Sequence, residues 1–400
     1  MTLLAHGLWL LAVVASVPLA IAVGVFALQV AAQATARRAV APAADAPATP
    51  RGPLVLLVPA HDEEDGIAHT LSTLLPQLAA GDRVLVVADN CSDATAARAR
   101  AAGAEVVERT HATDRGKGFA LAFGVEQLRA DPPWAVVIVD ADCELAPGAL
   151  RRLAAALERT RRPVQALYLM LAAPDAGLAR RLAQFAWRVR NWTRPAGWHR
   201  LGLPCQLMGT GMAFTWDMLR DARLANASIV EDMKLGIELA KARQAPVFCE
   251  SALVTSRFPD SAAATTTQRT RWEHGHLEMI LREVPPMVAR AVAGGDARLL
   301  GLALDLSVPP LALLAGLLVV DAALALAAGL AGAGAAPLWL AGGLCSTFLA
   351  AVLAAWAVQG RDLVRLRELM SVPWYIAAKL PVYLRFVVKR QRAWVRTDRK

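Results

Sequence analysis

Two aspartates one residue apart, Asp140 and Asp142, lie in the stretch VVIVDADCEL at 136–145, directly after a run of apolar residues. A buried strand ending in paired carboxylates offers the hard oxygen ligands that suit Mg2+ or Mn2+ bridging a diphosphate. Acidic residues close two other apolar runs: Asp62, Glu63 and Glu64 follow LVLLVPA at 54–60, and Asp89 ends RVLVVAD at 83–89. Taken alone, an Asp-x-Asp triplet also fits a solvated loop. A further pair, Glu231 and Asp232, fits the first turn of a helix, where the macrodipole favours carboxylates. QRTRW at 268–272 puts Gln268, Arg271 and Trp272 on one helical face, a pattern shared with amphipathic helices at a membrane surface.

Two other phosphate chemistries fail on residues. A phosphatase of the haloacid dehalogenase type needs Asp-x-Asp-x-Thr, whereas Cys143 and Glu144 follow Asp142. DRGKGFA at 114–120 lacks the GxxxxGK[ST] spacing of a phosphate loop. The five cysteines, at 91, 143, 205, 249 and 345, form no CxxC pair, so free thiols in a reducing compartment are expected. His274 and His276 lack a third ligand nearby and carry no zinc assignment.

The elements that must position these groups alternate. Apolar runs at 54–60, 83–89 and 134–140 and the short segment AEVVER at 104–109 predict strands, and helices are expected at 67–78, 93–102 and 117–128. Short apolar strands interleaved with helices predict an α/β domain with a mostly parallel sheet covered on both faces. Ligands of such sheets gather outside the carboxyl ends of the strands, where the acidic signals fall.

With 56% hydrophobic residues the chain is too apolar for an ordinary soluble enzyme, yet its middle is charged. Leu8 to Ala32 contains no charged residue and is long enough to span; a cleaved signal peptide is the competing reading. The expected organisation is a transmembrane helix in 1–35, a Pro/Ala linker at 36–53, a catalytic domain with interfacial helices at 54–290, two transmembrane helices in 299–359 broken within AAGLAGAGAAP at 327–337, and a basic tail at 360–400. Asp305 and Asp321 read as interface or helix-end positions. Arg37, Arg38 and Arg51 follow the first span and no Lys or Arg precedes it, which predicts a cytoplasmic catalytic domain on an inner or plasma membrane of bacterial type. Much of the +9 formal charge is then attraction to anionic membrane lipid, with no nucleic-acid partner expected. The Arg/Trp mixture at 178–202 reads as an interfacial helix rather than a stacking surface for single strands. Residues 372–388 lie on the membrane or cross it.

The ordered set VPAHDEEDGI, VVADNCSDAT, DRGKGFAL, VDADCEL, GTGMAF, VEDMKLG and QRTRW resembles the membrane-bound family 2 glycosyltransferases, the inverting group that includes cellulose, chitin and hyaluronan synthases. The resemblance covers about 50–290. It implies a GT-A fold, Rossmann-like with a mixed and mostly parallel sheet, a divalent metal (Mg2+ or Mn2+) and a nucleotide diphospho-sugar donor, most commonly a UDP-sugar. It further implies Pro59, Ala60, His61, Glu63 and Glu64 in the nucleoside pocket, Asp89 on base or ribose, and Lys117 near the nucleotide. Asp140 and Asp142 would be the metal and diphosphate pair. Asp232 would be the catalytic base with Glu231 beside it. Gly209, Thr210, Gly211 and Met212 would line the acceptor side, with Gln268 and Arg271 toward the diphosphate and Trp272 an acceptor wall.

The expected function is inverting sugar transfer to a lipid-linked or growing polysaccharide acceptor in exopolysaccharide or envelope glycan synthesis, with partner subunits or self-association left open. The alternative is a catalytically silent membrane scaffold or partner subunit that keeps the fold. A transporter fits poorly, since three spans are too few for a midplane site.

Overall fold

The computed structural model describes residues 3–35, 51–225, 230–259 and 262–388, which fall into two compact units. The first, at 51–174 and 202–275, is built on an 8-stranded sheet. Its strands are β1 (Leu54–Ala60), β2 (Arg83–Asp89), β3 (Glu105–Arg109), β4 (Ala135–Ile138), β5 (Glu144–Leu145), β6 (Val164–Leu171), β7 (Met212–Thr215) and β8 (Val247–Arg257), in the order β3-β2-β1-β4-β7-β6-β8-β5. The pairs β3/β2, β2/β1, β1/β4 and β6/β8 are parallel, whereas β7 runs antiparallel to both its neighbours and β5 to β8. This is the mixed, mostly parallel sheet expected of a GT-A fold.

Burial explains the strand compositions. β1 lies between two parallel neighbours, with Leu57 opposite Leu85 on one side and Ile138 on the other, so it reads as an unbroken apolar run. β3 is a sheet edge and carries Glu105, Glu108 and Arg109, charges that discourage edge-to-edge pairing. The strand order reverses between β1 and β4, and at such a switch point a crevice opens beyond the carboxyl ends. Asp62 follows β1 and Asp140 follows β4 there.

One apolar layer fixes the chemistry-bearing helices against the sheet. Val55, Leu57, Val87, Val136, Ile138 and Phe214 pack with Leu121 and Val125 of the Lys117–Gln127 helix and with Leu235 and Leu239 of the Glu231–Lys241 helix. Each fully buried side chain of this size contributes about 1.5–3 kcal/mol. Both helices therefore present their N-terminal residues toward one end of the sheet core. The expected helix at 67–78 ends as an α-helix at Leu74 and closes with a 3-10 turn through Pro76. That expected from residue 93 begins at Thr95, because the Asp93 carboxylate accepts from the Thr95 N–H at 2.9 Å and stays outside it.

The second unit, residues 3–35, 175–201 and 276–388, is helical among the described residues. Three of its helices, Ala5–Thr35, Leu311–Leu330 and Ala336–Gln359, are long and apolar enough to cross a membrane. The break predicted in the Gly/Ala stretch falls at 331–335. At the start of the expected region 299–359, Ala297–Ser307 is a separate helix, and Pro309 and Pro310 precede the apolar helix at Leu311. Segment 178–202 is likewise less superficial than expected. After the Leu178–Arg188 helix, a π-turn at Val189–Thr193 leads into Arg194–Arg200, and Arg194 and Trp198 are buried. Arg194 donates to Gln29 Oε1 at 2.9 Å and to Asp305 Oδ1 at 2.9 Å, and Trp198 donates to the Gly301 carbonyl at 2.9 Å. Asp321 accepts from the Ser16 hydroxyl at 3.0 Å. Both acids expected at interfaces or helix ends are thus buried between helices and partnered. Val372–Val388 forms a helix with Pro381 inside it. The linker at 36–50 and the tail cations from Lys389 to Lys400 lie outside the described residues.

Candidate active site

The loops after β1 and β2 are fastened to each other. Ser92 N–H donates to Asp62 Oδ1 at 2.7 Å, Glu63 N–H to Thr95 Oγ1 at 2.8 Å, Glu64 N–H to Asp93 Oδ2 at 3.1 Å, and Ala94 N–H to Glu64 Oε2 at 3.1 Å. His61 Nδ1 lies 2.7 Å from the Asp89 carbonyl. Pro59 is half-buried and Ala60 buried at the end of β1. The nucleoside-pocket candidates therefore form one rigid rim, in which Glu64 also serves as a backbone fastener.

Asp89 is buried, and its carboxylate accepts from Arg109 at 2.6 Å. Arg109 also donates to the Asp114 carbonyl at 2.8 Å and lies over the Phe119 ring. Sequence reasoning passed over Arg109. The signal was a cation closing an apolar strand at the same sheet end as the acids. Removing one member of a buried pair strands the other charge. Arg109→Met is therefore expected to lower unfolding stability by about 3 kcal/mol, moderated because Asn90 Nδ2 still donates to Asp89 at 3.1 Å. Thermal or denaturant unfolding of the purified variant checks this.

Beyond β4, one ligand atom from each of Asp140, Asp142 and Cys143 comes within 4.8 Å of the others. Burial, then the charge of Asp142, pushes the Cys143 thiol well up, and the carboxylates are the donors matched to a hard cation. Two adjacent carboxylates at a strand end, with Asp140 partly open to solvent, fit a small hard cation. A second grouping, Asp62, Cys91 and Asp93, has carboxylate oxygens already engaged by Ser92 and Thr95.

Lys117 ties this corner together. Its ammonium pairs with Asp140 Oδ1 and donates to the Gly209 carbonyl at 2.8 Å. Burial pushes its pKa down, but Asp140 and Glu231, joined by Asp232, outweigh that and hold it above the ordinary lysine value. The backbone of the 209–212 loop runs across the same corner, and Asp140 N–H donates to Thr210 Oγ1 at 3.1 Å. Gly209 has φ +90°, and a Cβ there would sit 3.4 Å from Asp232 Oδ2 and 3.5 Å from Lys117 Nζ. Gly211 has φ +66°, and a Cβ there would meet Ala166 and Val254 at 2.7 and 2.8 Å. Met212 begins β7 and lines a small cavity with Lys117, Leu121, Glu231 and Asp232.

Glu231 and Asp232 open their helix as expected, and Met233 N–H donates to Asp232 Oδ1 at 2.8 Å. Burial, then the charge of Asp232, pushes Glu231 up, against a smaller pull from Lys117. Lys117 thus faces Asp140 on one side and the Glu231/Asp232 pair on the other, and the two acidic groups proposed from sequence share one corner. Gln268, Arg271 and Trp272 lie on the Ala262–Arg282 helix, Gln268 buried and the other two half-buried. His276 is buried with Nε2 3.0 Å from the Leu306 carbonyl, and burial lowers its pKa to about 3, so it stays neutral.

A scan against protein families matches residues 50–275 to the family described as Glycosyltransferase like family 2. A search of the curated proteins finds no match. Among solved structures, the mannosyltransferase PcManGT from Pyrobaculum calidifontis, in complex with GDP-Man and Mn2+, is 18% identical with a TM-score of 0.54, covering 94% of this chain and 100% of that one. Glucosyl-3-phosphoglycerate synthase from Mycobacterium tuberculosis, in complex with Mn2+, UDP and phosphoglyceric acid, is 19% identical with a TM-score of 0.37, covering 56% of this chain and 78% of that one. The first of these is a likeness of fold.

Proposed function

The chain belongs to glycosyltransferase-like family 2, and we propose that it is a membrane enzyme that moves a sugar, with inversion, from a nucleotide diphospho-sugar to a lipid-linked or growing glycan acceptor. The observation that carries this is the Lys117 corner, where Asp140 of the strand-end carboxylates and the Glu231/Asp232 pair of a separate helix act on one ammonium group. A silent scaffold has no need of that arrangement, and its buried charges cost stability unless they serve something.

In this reading Asp140 and Asp142 hold a divalent cation, Mg2+ or Mn2+, with Asp142 the more direct ligand because Asp140 is shared with Lys117. A cation bound there supplies positive charge against the diphosphate as it leaves. The rim from Pro59 to Glu64 and Asp89 receives the nucleoside, with Gln268 and Arg271 toward the diphosphate. The acceptor enters along Gly209 to Met212, against Trp272. Its oxygen forms the bond to the anomeric carbon as the bond to the diphosphate oxygen breaks on the opposite face. The acceptor proton passes to the Asp232 carboxylate.

Glu231 divides the labour with Asp232. Burial and the neighbouring Asp232 charge raise the Glu231 carboxyl above its usual range, and Asp232 is the group assigned as base. Glu231→Gln is expected to keep turnover within about tenfold of wild type, in contrast to substitution of Asp232. Steady-state release of nucleotide diphosphate measures both.

The three apolar helices support anchorage in a membrane. The excess of Lys and Arg after the first and last spans supports a cytoplasmic sheet unit. Purified chain with Mn2+, offered a panel of UDP- and GDP-sugars, tests the reading. Release of nucleotide diphosphate from one donor class is expected, and silence with every donor and acceptor extract would count against catalysis. Sizing radiolabelled product then separates a polymer ladder from a single addition.

A further inference from the structure

Gln165 is the second residue of β6, between Val164 and Ala166, opposite Met212 of β7 and Phe248 of β8. It is fully buried. An amide in a sheet interior is unfavourable unless its polar atoms are bonded, and an apolar residue is the ordinary occupant of such a place. Here the bonds converge on one loop. Gln165 Oε1 accepts from Met208 N–H at 2.8 Å, and Nε2 donates to the Thr210 carbonyl and the Ala166 carbonyl, each at 2.9 Å. The amide therefore brackets Gly209 from both sides.

What it brackets is the backbone of the active corner. The Gly209 carbonyl receives Lys117 at 2.8 Å, and the Thr210 hydroxyl receives Asp140 N–H at 3.1 Å. The loop contains two glycines at positive φ, which bring no side chains of their own to fix its path. Its anchorage comes from Gly211, bonded to Ile138 and Ala166, and from Gln165. A methionine at 165 would fill nearly the same volume without these bonds, so packing alone does not account for the amide.

We propose that Gln165 is a positioning residue for sugar transfer: it clamps residues 208–210 so that the Gly209 carbonyl and the Thr210 hydroxyl hold Lys117 and Asp140 in register with Asp232. The inference rests on the reading of Asp140 and Asp232 given above. Gln165 touches neither the rim after β1 and β2 nor Asp142 in the described contacts, so the clamp acts on turnover more than on nucleotide binding.

The test uses the full-length chain in detergent micelles. Binding of UDP and of GDP in the presence of Mn2+ is measured by calorimetry, folding by thermal midpoint, and turnover with the donor selected by the panel. Gln165→Met is expected to lower kcat on the order of 10- to 100-fold, as a displacement of about an ångström at a reacting centre does, with nucleotide affinity within about twofold. A merely structural role would lower the thermal midpoint and the active fraction, and kcat per folded molecule would stay at the wild-type value. That outcome overturns the proposal. Should Gln165→Met fail to fold, Gln165→Asn keeps an amide too short to bridge both ends of the loop. It is expected to lose kcat in the same direction, and wild-type kcat from it would equally overturn the clamp. Asp232→Asn run in parallel separates the two levels. Loss of turnover in Asp232→Asn with normal kcat in the Gln165 variants rejects the clamp alone, whereas full turnover in Asp232→Asn rejects the underlying site.

Discussion

Asp232→Asn is expected to cut donor turnover on the order of 10³-fold while leaving nucleotide binding near wild type, the signature of a lost general base. Asparagine keeps the shape and can still accept from Met233 N–H through its carbonyl oxygen, as Asp232 Oδ1 does at 2.8 Å. What it loses is the capacity to take the acceptor proton. Glu231 does not replace it, because burial beside Lys117 and Asp232 fixes it at the start of the same helix with a raised pKa. Initial rates of nucleotide diphosphate release at saturating donor are the measurement, and activity within tenfold of wild type would remove Asp232 from the base role.

The second large effect is expected at Asp142. Asp142→Asn should lower turnover on the order of 10²- to 10³-fold, weaken Mn2+-dependent nucleotide binding, and recover partly at higher Mn2+. Asp140 offers no full substitute, because Lys117 already pairs with it and its backbone is pinned to Thr210. Cys143 offers none either, since its side chain is fully buried and sulfur is a poor ligand for a hard cation. Chelation of metal from the wild-type protein should abolish turnover, and restoring Mn2+ or Mg2+ should return it. Rates unchanged by both treatments would show that the strand-end carboxylates serve some other purpose.

Much of the sheet unit was legible because strand burial leaves a plain record. β1, β2 and β4 are apolar on both faces, so they stand out as short runs, and the acids that follow them mark the sheet end where loops converge. The helix starts were legible to within a turn, and Asp93 shows why the last residues slip: its carboxylate bonds the Thr95 N–H from the loop before the helix, although its type fits either side. β6 and β8 were not among the predicted strands, and β7 and β5 were invisible. Four residues of MAFT and two of EL carry no periodicity, and their pairing is antiparallel within a sheet whose other signals are parallel.

The site divides along the same line. Asp140, Asp142, Glu231 and Asp232 were singled out by type and place, but the approach of Asp140 and the Glu231/Asp232 pair to Lys117 depends on two helices packing on one apolar layer, which no local pattern encodes. Arg109 and Gln165 were missed for opposite reasons. Arg109 looked like an ordinary charge at the end of a strand, and its partner Asp89 lies on the neighbouring strand. Gln165 is a single polar residue in an apolar run, and its partners in the loop, Met208 and Thr210, are more than forty residues later in sequence. In the helical unit, the spacing of Arg and Trp at 178–202 suggested a membrane surface. Arg194 is instead buried because Gln29 and Asp305 satisfy it from two other helices.

The most direct measurement is calorimetric titration of Mn2+ with UDP or GDP into wild type, Asp142→Asn and Asp232→Asn, with turnover read on the same preparations. Loss of metal-dependent nucleotide binding in Asp142→Asn, alongside near-normal binding and no turnover in Asp232→Asn, is the expected result. Wild-type binding by Asp142→Asn, or wild-type turnover by Asp232→Asn, would contradict a shared corner in which one carboxylate pair grips the donor and the other serves the acceptor.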